Sequence, residues 1–430
     1  MKQWVLIGWL IGILGTVRAQ SIPVLDPSRA TDTSFSALFE DAEIIPLETS
    51  HVSAFGIVKQ LLVTNQYFII LDPDTDAVLF FDKNGRFVTK YKNRQSRYRI
   101  NFIQLDPAHN ALLIFSQNEN YNISATKLQA YLAKGAGKEL PGLVQSTRLY
   151  LGDMVTLRSE ELPPYAYWLA NPVLLDSSRF VYSFIKSDPI NKDIIDHQIQ
   201  VVSGNESIKN YFPYNPKKDS VFSGNSLNVW QCSFSTTLND SILFVTRPFD
   251  SVIYALTPSS ITECYKVVTP AQETTEMSFG IGAASFFDGE ILMMSAPGFS
   301  PGRTGASVVF NTNNIGRVFS LEPYLFFSIK QSFVYDYFIY NTINHRIYKY
   351  KELTPDSSNY MFPPTGAILA ADQSGIYQSL TARSLFRKRK NAAKSKWKYQ
   401  ASLARFYNTA KETDNPVLIR VKPKEQQNVQ

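Results

Sequence analysis

The sequence predicts an all-β fold built from repeated four-stranded units, which is a β-propeller. Three observations lead to this prediction. The 430 residues include 23 Tyr and 29 Phe, and aromatic residues favour pleated, half-buried strands. Short strand-like runs recur in groups of four, separated by turn-forming residues. No helical periodicity appears before residue 381, which argues against a doubly wound α/β fold.

The first group of four strands is the clearest. The turns between its strands contain Asp, Asn and Gly, and Asn84-Gly85 is a strong hairpin signal. Its predicted strands are Phe55 to Val63, Tyr67 to Asp72, Ala77 to Asp82 and Arg86 to Tyr91. Four antiparallel strands in about 40 residues form one propeller blade.

The same pattern returns along the chain. The later groups cover roughly 100 to 140, Trp168 to Tyr214, Val229 to Val268, Val318 to Tyr350, and a last group from Ala367. The stretch 271 to 312 is ambiguous, because it gives seven blades if it is a blade and six if it is an insertion.

The N-terminus has the pattern of a secretory signal peptide. An apolar run from Trp4 to Leu14 follows Lys2, and Val17 and Ala19 are the small residues before a cleavage point. We therefore assign 1–19 to the signal peptide, with an uncleaved membrane anchor as the alternative, 20–41 to an N-terminal leader and 42–430 to the propeller. No second apolar stretch is long enough to span a bilayer, so we expect no transmembrane span and a soluble, exported mature protein.

The C-terminal segment changes in character. From 381 to 411 Gly and Pro are absent and helix formers dominate, which predicts one basic helix. Thr413 to Pro416 end it, and a closing strand is predicted within 414–422. The two cysteines, Cys232 and Cys264, lie at opposite ends of one predicted blade, too far apart for a disulfide. We expect two free, buried thiols.

Four segments resemble the six-bladed β-propeller proteins exported by Bacteroidota. Ile44 to Thr49 is similar to the opening strand of that family, and Phe81 to Val88 to its blade hairpin, which also resembles NHL- and TolB-like propeller repeats. Asp250 to Tyr254 resembles a mid-chain strand, and Asp414 to Leu418 a closing motif. The resemblance implies six blades, so it favours the insertion reading of 271 to 312, and it implies no settled activity.

Two departures limit what the resemblance carries over. Many members have a Gly-rich loop after the first blade, whereas this chain has Lys92 to Tyr98 without glycine. Ligand contacts made by that loop are therefore not transferred. Many members are also lipoproteins, and this chain has no Cys near the cleavage point.

Two motifs suggest chemistry but lack its context. Gly298 to Gly302 matches the G-x-S-x-G pattern of hydrolases. Pro301 has no N–H for an oxyanion hole, and a strand pattern follows instead of a helix. Asp72, Asp74 and Asp76 have the spacing that begins a calcium loop, but Ala77 and Lys83 stand where an EF-hand needs Gly and Glu. An Asp-rich turn is the simpler interpretation, with calcium as a weak alternative and no other cofactor expected.

Aromatic side chains near the starts of inner strands are candidates for a sugar-stacking surface. These are Tyr165, Tyr167, Trp168 and Trp230. The alternative is packing between blades, which also uses Phe and Tyr heavily.

The net charge of +6 is distributed unevenly. The signal peptide contributes +2 and segment 381–411 contributes +10, which leaves −6 for the rest of the chain. A basic surface is predicted around Arg387, Lys388, Arg389 and Lys390. Export excludes a nucleic-acid role, so the helix either presents a solvated face or contacts an anionic envelope surface or partner.

These observations predict a binding or interaction module in the periplasm or envelope of a Gram-negative bacterium, with an unknown protein, peptide or glycan as partner. The alternative is a propeller enzyme, a lyase or glycan-active protein, with its site on one loop face. The fold does not decide between them.

A first prediction concerns ring closure. A propeller ring must close, or one blade exposes an unpaired edge. The strand at 43–48 is expected to complete the last blade beside 417–421. Deleting residues 42–49 should therefore destabilise the whole ring, and unchanged thermal unfolding of the deletion variant would contradict this closure.

Overall fold

We describe a computed structural model of the chain. It describes residues 21–424 except 94, 96, 119, 121–138, 153–156, 184, 187–194, 216–228, 231, 238–241, 249, 269–314, 332–333, 361, 363, 365–366 and 393–400. The predicted signal peptide at 1–19, the stretch 271–312 and the motif Gly298 to Gly302 lie outside the described residues.

The N-terminal part contributes two strands and one short helix. These are β1 (Val24–Leu25), α1 (Phe35–Leu38) and β2 (Glu43–Pro46). Each of these two strands pairs with the edge of a sheet whose other strands come later in the chain.

Six four-stranded antiparallel blades follow, the last of which includes β2, and a separate pair of short strands accompanies them. Blade one comprises β3 (Gln60–Val63), β4 (Tyr67–Asp72), β5 (Ala77–Asp82) and β6 (Phe87–Lys92). Blade two comprises β7 (Tyr98–Asp106), β8 (Ala111–Asn118), β9 (Val144–Tyr150) and β10 (Ser159–Leu162). Blade three comprises β11 (Val173–Leu174), β12 (Arg179–Tyr182), β14 (Asp196–Ser203) and β15 (Glu206–Tyr214), with β13 (Ile185–Lys186) and β16 (Val229–Trp230) paired beside it.

The second half of the ring follows the same order. Blade four comprises β17 (Ser233–Thr236), β18 (Leu243–Thr246), β19 (Val252–Leu256) and β20 (Ile261–Val267). Blade five comprises β21 (Ile315–Leu321), β22 (Tyr324–Gln331), β23 (Val334–Asn341) and β24 (Ile347–Lys349). Blade six comprises β25 (Ala370–Asp372), β26 (Gly375–Leu380), β27 (Val417–Val421) and the N-terminal strand β2. The prediction of a six-bladed β-propeller is confirmed.

The predicted strand groups differ from the blades in their limits. In blade one the three later strands agree with the prediction to within one residue. Blade two extends to Leu162, not to about 140, because residues 119–143 separate its second and third strands. The inner strand of blade three begins at Val173, since Trp168 lies in the 3-10 helix Ala166–Ala170 before it.

The core is a set of six apolar layers, each of which lies between two neighbouring blades. The layer between blades one and two, for example, contains Ile69, Phe80 and Ile114, all of them buried. The layer between blades six and one contains Tyr377, Leu418 and Phe68. Because neighbouring blades cover both faces of the middle strands, strands such as β4, β5, β8 and β18 are nearly continuous apolar runs in the sequence.

Ring closure joins the two ends of the chain. Strand β2 pairs with β27 in antiparallel register, from Glu43 opposite Arg420 to Pro46 opposite Val417. The predicted closure is therefore confirmed, and the outer strand of blade six comes from the N-terminal side of blade one.

The side chain of Asn415 stabilises this closure through hydrogen bonds to the backbone. Its Oδ1 accepts from the Phe55 N–H at 2.9 Å, and its Nδ2 donates to the carbonyls of Glu48 at 2.8 Å and Ser53 at 2.9 Å. The residue is 2% exposed. Buried amide groups of this kind need partners, so Asn415 holds the chain entering blade one against the closing strand.

The hairpin turn of blade one packs against the same seam. The carbonyl of Gly85 accepts from the Glu48 N–H at 2.8 Å. Gly85 has φ of 80°, and a Cβ at this position would overlap the carbonyl oxygen of Pro46. Glycine is therefore required here for its backbone conformation and for the close approach.

The leader contacts the outer strands of blades four and five and the end of the closing strand β27 of blade six. Strand β1 pairs in parallel with Lys266 and Val267 of β20. Further along the chain, the Thr31 N–H donates to the backbone carbonyl of Ile347 at 2.9 Å, and the Glu40 N–H donates to the backbone carbonyl of Lys422 at 2.9 Å. Blades four, five and six are thus linked from the outside by backbone hydrogen bonds.

The C-terminal helical segment is present, but it is not one continuous helix. The described parts are α2 (Ala382–Ala392) and α3 (Ala401–Thr409), between β26 and β27. The rings of Phe386 and Tyr407 lie 5.4 Å apart, whereas one straight helix would separate these positions by about 30 Å. The prediction of a single helix is corrected to two helices that pack on each other. Ala393 and Trp397 lie outside the described residues.

The cysteine prediction is correct for pairing and partly correct for burial. Both thiols are free. Cys232 is buried directly before the innermost strand of blade four, and Cys264 is half-buried on its outermost strand. Two strands separate them, as expected from the blade order.

The Asn415 contacts predict a large effect of a small truncation. Asn415→Ala leaves one backbone N–H and two carbonyls without their partner, and we expect a loss of about 3 kcal/mol in the free energy of unfolding. Urea unfolding of the mature protein measures it. Asn65→Ala, in an exposed turn, is the matched control, with an expected change below about 0.5 kcal/mol. Equal stability of the two variants would contradict the role of Asn415.

Candidate functional site

The connections between strands leave the blades at two opposite ends. Because neighbouring strands are antiparallel, those after the first and third strands lie at one end, and those after the second and fourth lie at the other. The inner strands of neighbouring blades contact each other around the ring, which brings equivalent ends together. We call the end after the first and third strands the turn face and the other end the insertion face.

The two faces differ in the length of their connections. Those of the turn face are short, and the longest between described strands is 151–158. The insertion face receives the long ones, at 119–143, 183–195, 215–232, 268–314, 350–369 and 381–416. Insertions that accumulate on one face of a repeat protein commonly mark its binding face, so the insertion face is the candidate functional surface.

The predicted aromatic cluster lies on this side, between blades two and three, but its rings are largely covered. Tyr167 is 1% exposed and Trp168 is 5% exposed. Trp168 packs on Phe115 at 4.5 Å and on Tyr167 at 5.5 Å between centroids. The prediction that these two rings form a sugar-stacking surface is corrected, because their faces are already occupied by protein.

The other two predicted aromatics are placed differently. Tyr165 is half-buried, and its ring stacks on Tyr167 at 5.6 Å. Trp230 lies in β16, whose backbone pairs with Ile185 and Lys186. Both positions lie in connections of the insertion face, and a contact with a ligand remains a proposal for them.

The three aspartates form a turn and a contact between blades. Asp72 is fully buried and accepts from the N–H groups of Asp74 at 3.3 Å and Thr75 at 3.0 Å, as in an Asx turn. Asp76 instead accepts from the Ile100 N–H of blade two at 2.8 Å. Among the residues that the structure describes, no group of three His, Cys, Asp or Glu side chains is placed to hold a metal ion.

A charged group near the inner strands was missed by the sequence analysis. Lys59 precedes the inner strand of blade one, Arg99 lies on that of blade two, and Asp76 lies between them in the insertion-face turn. Burial lowers the pKa of Lys59, the Asp76 carboxylate opposes this, and the Arg99 guanidinium lowers it further. A desolvated lysine beside an exposed arginine is suited to an anionic ligand group. No local pattern separates these two cations from the other 41.

The predicted basic residues all lie on α2, but they have different partners. Lys388 is placed over the Phe362 ring at 5.1 Å, and burial lowers its pKa. Arg389 donates to the Tyr407 carbonyl at 3.3 Å. Lys390 pairs with Glu412 at 2.9 Å, and Arg387 is exposed.

Two open cavities lie at blade six, away from the aromatic cluster. The larger, about 410 Å³, is lined by acids and bases that neutralise each other, such as Glu40 and Lys422 at 3.0 Å. The smaller, about 300 Å³, lies at the closing seam and is lined by Glu48, Asn84 and Asp414, among others. Their walls are parts of ring closure, which gives them a structural explanation.

Nucleophile and acid–base candidates are held in structural contacts. Burial raises the pKa of the Cys232 thiol to about 12, so it is an inert thiol at neutral pH. On the turn face, the buried carboxylate of Asp106 contacts His109 Nδ1 at 2.9 Å and Arg148 Nε at 3.1 Å. This ion network fixes a turn of blade two and lies opposite the insertion face.

The packing of the aromatic cluster predicts unequal effects of two truncations. Trp168→Ala removes a buried ring from the layer between blades two and three, and we expect a loss of about 4 kcal/mol in the free energy of unfolding. Tyr165→Ala, at the half-buried edge, is the matched control, with a loss of about 1 kcal/mol. Urea unfolding followed by circular dichroism measures both. A Trp168→Ala variant as stable as the wild type would show that the ring is not part of the core.

Comparison with known proteins places this architecture among six-bladed propellers. A family model described as a 6-bladed beta-propeller matches residues 17–96. No curated protein matches the sequence. Within the described residues, no helix is both long and apolar enough to cross a membrane.

Solved structures resemble the chain over nearly its whole length. A protein of Bacteroides fragilis NCTC 9343, described as exported, has 15% identity and a TM-score of 0.60, and the match covers 94% of this chain and 100% of that one. A member of the duf4221 family from Bacteroides vulgatus ATCC 8482 has 9% identity and a TM-score of 0.41, with 90% and 99% covered. At 15% identity the likeness to the Bacteroides fragilis protein is one of fold alone, and the fold of this chain is that of a six-bladed propeller.

Proposed function

We propose that the protein is an exported module of the cell envelope that binds a protein, peptide or glycan through its insertion face. The observation that carries this proposal is the asymmetry of the ring. Short turns occupy one face, while the other face receives all of the long connections between described strands. Loops on a rigid scaffold are where binding residues concentrate, and closure makes this scaffold rigid.

The location in the envelope rests on the sequence and on one likeness of fold. The N-terminal segment has the pattern of a signal peptide, and the similar structure from Bacteroides fragilis is described as exported. A periplasmic or surface location and an NHL-like or TolB-like repeat type are parts of the same proposal.

The charged group near the inner strands indicates which ligands to test first. Lys59 is half-buried and Arg99 is exposed, so an anionic group that reaches the inner strands would meet two cations, and the Asp76 carboxylate opposes its approach. Peptides with acidic residues and glycans with uronic acids are the first candidates. Tyr165 and Trp230 are the remaining aromatic candidates for contact with a sugar or a peptide.

The alternative function is that of an enzyme, a lyase or another glycan-active propeller. Such a site needs convergent carboxylates, histidines or a metal near one cavity. In the described part of the chain, Asp72, Asp76 and Asp106 are bound to backbone N–H groups or to cations. No specific observation therefore favours the enzyme over the binding module.

The test is a binding screen with variants of each face. The mature protein is screened against glycan and peptide arrays with and without calcium. We expect Lys59→Met combined with Arg99→Ala to weaken an anionic hit at least about tenfold, since each lost charge-assisted contact costs about 1.5–3 kcal/mol. Arg86→Ala combined with Arg346→Ala, both exposed on the turn face, is the matched control.

The outcomes separate the candidate functions. A hit that is weakened only by the turn-face pair would contradict binding through the insertion face. Cleavage of a bound glycan, detected by mass spectrometry, would favour the enzyme. No hit in any array would favour a structural or assembly role. Binding that depends on calcium would favour a calcium site at Asp72, Asp74 and Asp76.

A further inference from the structure

The surface of α2 carries a stripe of exposed cations. Arg383, Arg387 and Lys390 are spaced i, i+4 and i+7, which places them on one side of the helix. All three side chains are exposed, and the residues 381–411 contain no acid. We call these three residues the cationic stripe.

The apolar side of the same helix is already used by the propeller. Ala382 and Leu385 are fully buried in the layer that joins blades five and six. Phe386 packs on Phe406 at 6.0 Å and on Tyr407 at 5.4 Å. These apolar side chains of α2 are therefore used in packing, and the exposed side of the helix carries the charges of the stripe.

Among the residues that the structure describes, one carboxylate, that of Glu412, is placed against the stripe. Lys390 pairs with Glu412 at 2.9 Å, and this pair is mostly exposed. The hydrogen bond and charge of Lys390, and more weakly the charge of Arg383, lower the pKa of Glu412. One carboxylate opposite three cations leaves the stripe with a net positive charge.

We propose that the cationic stripe docks on a bilayer surface of anionic lipid headgroups. Neither of the two cavities at blade six is lined by any of the three cations, and exposed side chains along one side of a helix form a convex array, whereas a discrete small ligand binds in a concave site. A flat array of anionic headgroups requires no walls. The proposal rests on the envelope location proposed above.

The distribution of charge favours the same occupant. Outside the signal peptide and segment 381–411, the chain carries a net charge of −6. An anionic surface would therefore attract the helical segment and repel the remainder, which orients the protein with α2 towards the lipid. Each exposed cation near such a surface strengthens binding about fivefold, and salt screens the attraction.

The test uses vesicles and the full mature chain. Residues 20–430 are sedimented with vesicles of phosphatidylglycerol and phosphatidylcholine (3:7), and with pure phosphatidylcholine, at 50 and 500 mM NaCl. We expect binding to the anionic vesicles at low salt only, and a loss of about 100-fold in R383Q/R387Q/K390Q, from three charges at fivefold each. The matched control R86Q/K266Q/R346Q removes three exposed cations elsewhere and should bind like the wild type.

Three outcomes would overturn the proposal: no binding of the wild type, an equal loss in both triple variants, or binding to dextran sulfate without binding to vesicles. If the triple variant does not fold, the same vesicle assay is carried out with R387E, which reverses a single charge at an exposed position. The glycan and peptide screen contains no vesicles. A negative result there concerns the proposed function, and a negative result in the vesicle assay concerns the lipid docking.

Discussion

The fold depends on one seam, where the N-terminal strand β2 completes blade six beside β27. If this pairing is lost, the apolar layer between blades six and one loses Ile45 from one of its walls, and the edge of β27 is left unpaired. Asn415 strengthens the seam because its amide satisfies three backbone groups of the chain that enters blade one. The remaining five layers need a closed ring, since a blade that is covered on one face exposes its other apolar face.

The segments that resemble the known propeller family have structural roles in this chain. Three of them meet at the seam: the strand from Ile44, the hairpin turn at Gly85 and the closing motif at Asn415. The fourth contains Asp250, which accepts from the Tyr254 hydroxyl at 2.8 Å and pairs with Arg247 at 3.1 Å. The Arg247 guanidinium in turn lies 3.8 Å from the centre of the Phe212 ring of blade three. The resemblance therefore identifies how the ring is built, and this explains why it implies no activity.

The features that could be predicted from the sequence are those that short, local residue patterns determine. Blade one was located to within a residue at most strand ends because short apolar runs bounded by turn-forming residues, and an Asn-Gly turn, are local signals. Blade two was placed too short because the connection 119–143 interrupts its repeat. The two packed helices were read as one because apolar spacing continues across residues 393–400. The burial of Trp168 was left open because it depends on Phe115, about 50 positions away in the sequence. Lys59 was missed because its position beside Arg99 exists only in the folded ring.

Topology relates the two proposed surfaces to each other. The helices α2 and α3 lie in the connection between the second and third strands of blade six, so they leave the ring on the same side as the other long connections. Under the proposed lipid docking, a bilayer that attracts α2 would lie near the place where this connection leaves the ring. Ligands held in or near that surface would then be presented to the insertion loops at high local concentration, whereas freely diffusing ligands gain nothing from the docking. The positive net charge of the chain is therefore concentrated in one segment: residues 381–411 carry +10, whereas the rest of the chain outside the signal peptide carries −6.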